Sequence, residues 1–366
     1  MSIVALLAFQ VGHLFAQATF PTPVLTSLSP LGGKPGSTVE ISFKGADLDG
    51  AKSVLLSSIH GASLEVPIVQ IPEKKGVLAV KLPADAKSDL YDIRLVGRYG
   101  VSNPRVFQIS PLTVVDSPGT NTKSDAALKL SLGSAIHGVF KAGAPHWFSF
   151  ESKKGQRVLA TFAGSDFDSR ASLVGAVTDA SGRELARLRG GLLDLRLPAD
   201  GSYKLRVNDL MYGTGDDFGY RLSLTAGAVV WAASKDTLYG WNLQGGQVVP
   251  GLRVNQGQPL ERLKADAATS ARLIAESPSR AFAISSENEA PEAAAPATTP
   301  VQIGQTFGGW FPARGAPRSF DLTFKSGDRF MIEVVSQQAG FPTDPTMVVE
   351  LVKKDAAGAE TLTAQA

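Results

Sequence analysis

The chain has 366 residues, 43% of them hydrophobic, which is enough for two to four modules that each bury a core. Charged residues make up only 19%, and 37 glycines and 22 prolines favour turn-rich β structure over helix bundles. A formal charge of +2, without a run of Lys or Arg, argues against nucleic-acid binding. The lack of cysteine excludes a disulfide framework and any thiolate metal site.

Residues 1–18 have the pattern of a secretory signal peptide. An apolar stretch from Ile3 to Phe9 is followed later by Ala16-Gln17-Ala18, which fits an A-x-A cleavage site. The stretch is too short and too interrupted for a membrane-spanning helix. It contains no Lys or Arg, so a buried first strand is the alternative interpretation. The signal peptide predicts an exported protein whose mature chain has no membrane span.

Residues 22–110 are predicted to form a β-sandwich of short strands separated by turns. Apolar and polar residues alternate at 39–43 and at 91–95, which is the period of a half-buried strand. The segment resembles the IPT/TIG immunoglobulin-like family at these positions: Pro30, Gly32, Gly33, Pro35, Gly36, Gly45–Leu48, Tyr91–Leu95 and Gly100–Asn103. The resemblance implies a binding or spacing module of extracellular or DNA-associated proteins, and the signal peptide favours the extracellular kind.

Residues 128–226 are predicted to form a second sandwich, after a polar, turn-rich linker at 111–127. The segment is similar to the bacterial pre-peptidase C-terminal (PPC) domain in its aromatic strand, its turns and its last strands: Trp147–Phe150, Lys153–Gln156, Ser165–Asp168, Asp179–Gly182, Leu197–Tyr203 and Tyr220–Leu222. The resemblance implies a non-catalytic β-sandwich appendage of secreted proteases and other exported proteins. Some members are associated with substrate binding and others with removal during maturation.

Residues 227–285 are the least legible part of the chain and are predicted to be mostly β. Gly245-Gly246 indicates a hairpin turn. Residues 260–276 have apolar side chains near one helical face, so they predict either a helix or a further β-unit. The Pro/Ala/Glu-rich segment 286–300 is predicted to be a linker.

A stretch of the PPC-like segment is repeated in residues 301–366. Pro145, Phe148, Lys153, Gly155 and Arg157 align without a gap with Pro317, Phe320, Lys325, Gly327 and Arg329. The second copy contains no counterpart of the last two strands of the first, so we expect a partial sandwich in the N-terminal part of a longer protein or a truncated product. The predicted fold class is therefore all-β, with tandem sandwiches that are first immunoglobulin-like and then PPC-like, of jelly-roll type.

Clustered carboxylates suggest calcium as a possible ligand, since calcium takes six to eight oxygen ligands. The candidate ligands lie near one strand end and in the loop between the last two PPC-like strands: Asp166, Asp168, Asp209, Asp216 and Asp217. The alternative is that these carboxylates cap turns and stay solvated. No other cofactor is expected.

Aromatic side chains on the surface would give flat platforms for stacking on sugars. The candidates are Trp147, Trp231, Trp310 and, near turns, Tyr212, Tyr239 and Trp241. The alternative is that these rings fill sandwich cores, where aromatic residues dominate the packing. An extracellular protein or a polysaccharide is therefore the expected partner.

Catalytic patterns are missing from the sequence. It contains no G-x-S-x-G elbow, no Ser motif beside a plausible His and Asp pair, and no phosphate loop. We therefore expect a non-catalytic exported protein for adhesion, substrate targeting or spacing. The alternative is an accessory region of a secreted hydrolase, in particular a peptidase, whose catalytic domain lies outside this chain.

Overall fold

The structure is a computed structural model that describes residues 20–58, 63–70, 76–189, 191–254, 258–279, 281–283, 298–303, 317–325, 327–334, 336, 345–354 and 360–364. The fold is all-β and is built from tandem β-sandwiches, as the sequence predicts. The predicted signal peptide, Trp310 and most of the predicted linker at 286–300 lie outside these ranges. No helix within them is long and apolar enough to cross a membrane.

The first sandwich is one nine-stranded sheet that folds over on itself. Its strands are β1 (Val24–Ser29), β2 (Gly32–Gly33), β3 (Thr38–Ala46), β4 (Ser53–Ser58), β5 (Ser63–Gln70), β6 (Val77–Lys81), β7 (Asp89–Gly97), β8 (Gly100–Val101) and β9 (Arg105–Ile109). Strand β5 pairs with both β4 and β6 and so joins the two halves. Ile41 and Ile93, from the two alternating stretches, are buried in the shared core, which confirms the predicted period.

The central sandwich consists of two five-stranded sheets that enclose one core. Its strands are β10 (Thr113–Asp116), β11 (Leu128–Lys129), β12 (Ser134–Val139), β13 (His146–Ser152), β14 (Arg157–Ala163), β15 (Leu173–Thr178), β16 (Glu184–Arg189), β17 (Gly191–Arg196), β18 (Gly201–Asp209) and β19 (Gly219–Thr225). The order β10-β12-β19-β14-β17 forms what we call the covered sheet, because the neighbouring modules pack on it. The order β11-β13-β18-β15-β16 forms the open sheet.

The segment 111–127 is more than a linker, so that prediction was wrong. Thr113–Asp116 pairs in parallel with β12 at the edge of the covered sheet. Asn121 is buried and exchanges hydrogen bonds with the backbone of Trp147, at 2.7 and 2.9 Å. Val115 of the same segment also packs against the core of the sandwich, so the segment is an integral part of it.

The third module is a five-stranded sheet with a helix packed on it. Its strands are β20 (Val229–Ala233), β21 (Thr237–Trp241), β22 (Gln247–Val254), β23 (Gln258–Lys264) and β24 (Phe282–Ala283), in the order β22-β23-β21-β20-β24, and the helix is α1 (Ala267–Glu276). The glycine pair does form a turn, but β21 and β22 both pair with β23 and are not a hairpin.

The helix prediction was correct only after residue 266. Leu260 and Leu263 lie in β23, where pairing with β21 overrides their helical spacing. Asp266 caps α1, because its carboxylate accepts a hydrogen bond from the Thr269 N–H at 2.7 Å. The cap signal is therefore present in the sequence, one residue before the helix starts.

In the described residues of the second copy, the strands are β25 (Thr299–Val301), β26 (Phe320–Leu322), β27 (Glu350–Lys354) and β28 (Glu360–Ala364). The repeated turn is built alike in both copies, since the Lys153 N–H donates to the side chain of Gln156 and the Lys325 N–H to that of Asp328. The first residues of β25, Thr299 and Pro300, fall within the predicted linker.

Candidate functional site

A buried polar contact fixes the first sandwich on the covered sheet. The Leu31 N–H donates to His137 Nδ1 at 2.9 Å, and Arg221 Nη2 donates to Ser110 Oγ at 2.9 Å. Arg221 also lies against His137 Nε2. Burial, together with the Arg221 charge, holds the pKa of His137 well below its ordinary value, and burial lowers the pKa of Arg221 to about 9. These residues connect the two sandwiches.

A buried ion cluster fixes the third module on the same sheet. Arg157 forms ion pairs with Asp194 of the sandwich and with Glu261 of β23, and its Nε donates to Asp194 at 2.6 Å. The hydrogen bonds to Asp194 raise the pKa of Arg157, so it stays charged. Glu261 also accepts the Leu243 N–H at 2.9 Å. Arg157 therefore joins two modules.

Tyr239 and Trp241 are not stacking platforms, and this prediction was wrong. They are 3% and 1% exposed and pack with Leu159 and Leu192 of the covered sheet. Their rings fill the junction between the central sandwich and the third module, so neither presents a face to a ligand. Aromatic burial of this kind depends on modules that meet in space, which the local sequence does not show.

The two histidines within the described ranges both have structural roles. His137 bridges the sandwiches, and His146 Nδ1 lies 2.7 Å from the hydroxyl of Tyr220 in the core. Burial lowers the pKa of His146 to about 4, so it is neutral at physiological pH. Neither histidine is placed to act as a general base toward an exposed substrate.

The five candidate calcium ligands are not brought together. Among the residues whose positions are described, no three His, Asp or Glu side chains form a group that could hold a metal ion. The carboxylate of Asp168 accepts the Val106 N–H at 3.1 Å, and that of Asp216 pairs with Lys44 at 2.7 Å. Burial raises the pKa of Asp166. Asp217 accepts the Arg170 N–H through its backbone carbonyl. The carboxylates of Asp168 and Asp216 thus contact the first sandwich, and of the five candidates only Asp209 holds backbone N–H groups of a turn in the ranges given above, as the turn-capping alternative predicts.

Asp209 organises an exposed loop, residues 209–218, which we call the Asp209 loop. Its carboxylate accepts backbone N–H groups of Ser172, Met211 and Gly213 at 2.7, 3.0 and 2.8 Å. A side chain at Gly213 would collide with the ring of Phe218, since its Cβ would lie 2.0 Å from that ring. The loop is therefore held in one conformation by charge-assisted hydrogen bonds and close packing.

The tip of the Asp209 loop exposes apolar side chains. Met211 and Tyr212 are 83% and 53% exposed, and Leu210 beside them is also exposed. Tyr212 adopts a φ of 56°, a left-handed conformation that is costly for a residue with a side chain and persists only where the surroundings impose it. A rigid loop that presents an aromatic ring to solvent is suited to binding, because little ordering remains to be done.

The outward residues of the open sheet, other than Trp147, were not among the candidates that the sequence suggested. Tyr203, Leu205 and Val207 of β18 are buried in the core, so Lys204 and Arg206 between them face away from it. Arg206 lies over the ring of Trp147, with its guanidinium carbon 6.0 Å from the ring centroid. The alternation of apolar and basic residues at 203–207 was a signal that could have found them.

Comparison with known proteins gives likenesses of fold only. No protein-family model matches the chain, and no curated protein matches it. Among solved structures, the pre-peptidase C-terminal domain of Bacillus anthracis collagenase is 16% identical, covering 27% of this chain and 94% of that one, with a TM-score of 0.23. SGBP-B of the Bacteroides ovatus mixed-linkage glucan utilization locus, in complex with a mixed-linkage heptasaccharide, is 10% identical, covering 53% and 72%, with a TM-score of 0.20.

A third neighbour is PliG of Aeromonas hydrophila, a periplasmic inhibitor of g-type lysozyme, at 16% identity over 31% of this chain and 96% of that one, with a TM-score of 0.22. The resemblance to the PPC domain has a counterpart among these neighbours, while the resemblance to IPT/TIG domains stays a prediction.

Proposed function

We propose that the chain is a non-catalytic, exported array of β-modules that binds polysaccharide, and that the Asp209 loop makes the ligand contact. The supporting observation is the exposed ring of Tyr212 on a loop anchored by three hydrogen bonds to Asp209. The described histidines and buried ion pairs serve packing between and within modules, which accords with a holding role. Such an array would serve equally as the accessory region of a secreted hydrolase.

The sugar chemistry follows from the loop tip. Tyr212 offers a flat apolar face with a hydroxyl at its edge, and Met211 and Leu210 extend the apolar surface around it. A pyranose ring presents an apolar face of C–H groups and a polar rim of hydroxyls, so it matches a tyrosine in an exposed position. The ligand expected at this loop is therefore an uncharged polysaccharide.

The test measures retention of the protein on insoluble cellulose, chitin, xylan and β-glucan, together with its mobility in affinity electrophoresis with soluble forms of these polymers. Tyr212→Ala should weaken binding about fivefold, the value of one aromatic contact of about 1 kcal/mol. Tyr99→Ala is the matched control, because Tyr99 is another exposed tyrosine, in the first sandwich. Both variants should keep the parent melting temperature.

Failure of the parent protein to bind any of these polymers would refute the proposal. Equal binding by the parent and by Tyr212→Ala would show that the Asp209 loop does not make the ligand contact. A similar loss in Tyr99→Ala would indicate an effect of exposed aromatic residues in general, and would also count against the loop.

A further inference from the structure

The outer face of the open sheet carries a row of side chains that crosses four strands. The pairing registers place Trp147 of β13 beside Arg206 of β18, Arg206 beside Ala176 of β15, and Ala176 beside Arg187 of β16. Neighbouring strands lie about 4.8 Å apart, so the row is about 14 Å long. Lys204 lies two residues from Arg206 on the same face and adds a cation next to the row.

The cations of this face are only partly neutralised. Arg187 pairs with Glu184 at 2.5 Å, and its side chain is still 52% exposed. Within the described part of the chain, Arg206 and Lys204 lie beyond ion-pair distance of any carboxylate, and Glu184 acts on Arg206 only through a longer-range charge interaction; Lys204 donates to the Ser124 hydroxyl at 2.7 Å. The Nε of Arg206 is buried and has no hydrogen-bond partner there. The face therefore carries a net positive charge beside an aromatic ring.

The neighbouring modules leave this face available. The first sandwich and the third module make their buried contacts with the covered sheet, through Arg221 and Arg157. Trp147, Lys204 and Arg206 are half-buried in the strands but not covered by another module's core. A groove of about 700 Å³ at the end of the sheet contains Lys129 and Lys153 but also acidic side chains, so it does not extend the positive face.

We infer that the row Trp147–Arg206–Arg187, with Lys204, is a second binding site and that it takes an anionic polysaccharide, with carboxylate or sulfate groups. Arg206 and Lys204 supply the charge complementarity, because a guanidinium and an ammonium are the side chains that pair with such anions. The uncovered outer face of the sheet, with the half-buried Trp147, is the surface on which sugar rings would lie. Nucleic acid is disfavoured, since the whole chain has a formal charge of only +2.

This site goes beyond the proposed function, because it prefers a different ligand and draws its charge from β16 and β18; its outermost cation, Arg187, lies within electrostatic range of Tyr212, so the two sites adjoin. The Asp209 loop follows the end of β18, while Lys204 and Arg206 lie within it. Tyr212→Ala removes none of the three cations, so it should leave anionic binding unchanged, and Lys204→Gln/Arg206→Gln should leave retention on neutral polymers unchanged. Failure at one site is distinguishable from failure at the other.

The experiment measures binding of the full chain to polygalacturonate, dextran sulfate and neutral dextran by affinity electrophoresis at low ionic strength. The double variant Lys204→Gln/Arg206→Gln should bind the anionic polymer about tenfold more weakly, as expected for two partly exposed charge contacts. The control Lys52→Gln/Arg98→Gln removes the same charge from exposed positions of the first sandwich. The control should bind like the parent, and about 1 M salt should abolish the difference.

Preference for polygalacturonate or for dextran sulfate identifies the anionic group as carboxylate or sulfate. The inference is overturned if the parent does not prefer either polymer to neutral dextran, or if the double variant and the control lose the same affinity. It is also overturned if poly-L-glutamate or duplex DNA binds as tightly as the polysaccharides, because the face would then recognise charge alone. A melting temperature measured for each variant confirms that it is folded.

Discussion

The two outer faces of the central sandwich carry the same kinds of residue for different purposes. On the covered sheet, Arg157 and Arg221 are buried and hold the neighbouring modules. On the open sheet, Arg206 and Arg187 occupy outward positions of the same period-two register but keep access to solvent. An outward arginine on a strand is therefore a structural residue or a ligand contact according to what packs above it.

Among the substitutions that test this difference between the two faces, Arg157→Met is expected to have the largest effect on stability. Arg157→Met leaves Asp194 and Glu261 buried without their cation, which should lower the free energy of unfolding by about 3–5 kcal/mol. Urea unfolding followed by tryptophan fluorescence measures this loss, because Trp231 and Trp241 belong to the third module. The triple variant R157M/D194L/E261Q removes the buried charges and keeps an acceptor for the Leu243 N–H, so it should recover most of the stability.

A loss below about 1 kcal/mol in Arg157→Met would show that the cluster is solvated in solution. Arg157 would then resemble the arginines of the open sheet, and the proposed difference between the two faces would be refuted.

The next largest effect is expected at His146, which is buried between the two sheets, and it is a dependence of the free energy of unfolding on pH. Its folded-state pKa of about 4 lies below the ordinary value of 6.5, so the unfolded state binds more protons between these values. The contribution of neutral His146 to the free energy of unfolding is therefore fully present above about pH 6.5. It is lost as the pH falls toward 4, by about 3 kcal/mol. Urea midpoints across this range should fall less steeply in His146→Gln than in the parent.

The same slope in both proteins would mean that His146 does not stay neutral in the core. His137, whose pKa is also lowered, has the same sign, and it stays intact in both proteins as an internal reference.

The smallest effect is expected on the open sheet. Arg206→Met keeps the stem that covers the strand and removes only a partly exposed charge, so the free energy of unfolding should change by less than about 0.5 kcal/mol. Chemical denaturation of this variant beside Arg157→Met measures the contrast directly. A loss of several kcal/mol in Arg206→Met would make Arg206 a structural residue and leave the open sheet without its ligand-binding role.

Local patterns predicted the parts of the fold that depend on local chemistry. Alternation located Ile41 and Ile93 in the core, and the Lys153 turn recurs at Lys325 with the same hydrogen bonding. Patterns failed where distant segments decide the outcome. Thr113–Asp116 becomes a strand only because the edge of β12 is there to pair with it.

In the candidate site, too, local features were predictable from the sequence and contacts between distant segments were not. The exposure of Tyr212 was predictable, since it lies among the glycines and acidic residues of a loop. The burial of Trp241 required contact with Leu159 and Leu192, which are distant in sequence, and the anchoring of the loop by Asp209 required Ser172 from another segment. Neither contact can be inferred from the local sequence.

The positions where the chain enters and leaves the central sandwich bear on how such arrays arise. Ser134 pairs with Thr113 on one side and with Leu224 on the other, so entry and exit lie at the same end, two strands or about 10 Å apart. A unit with adjacent ends can be inserted, duplicated or deleted with little change in the route of the surrounding polypeptide.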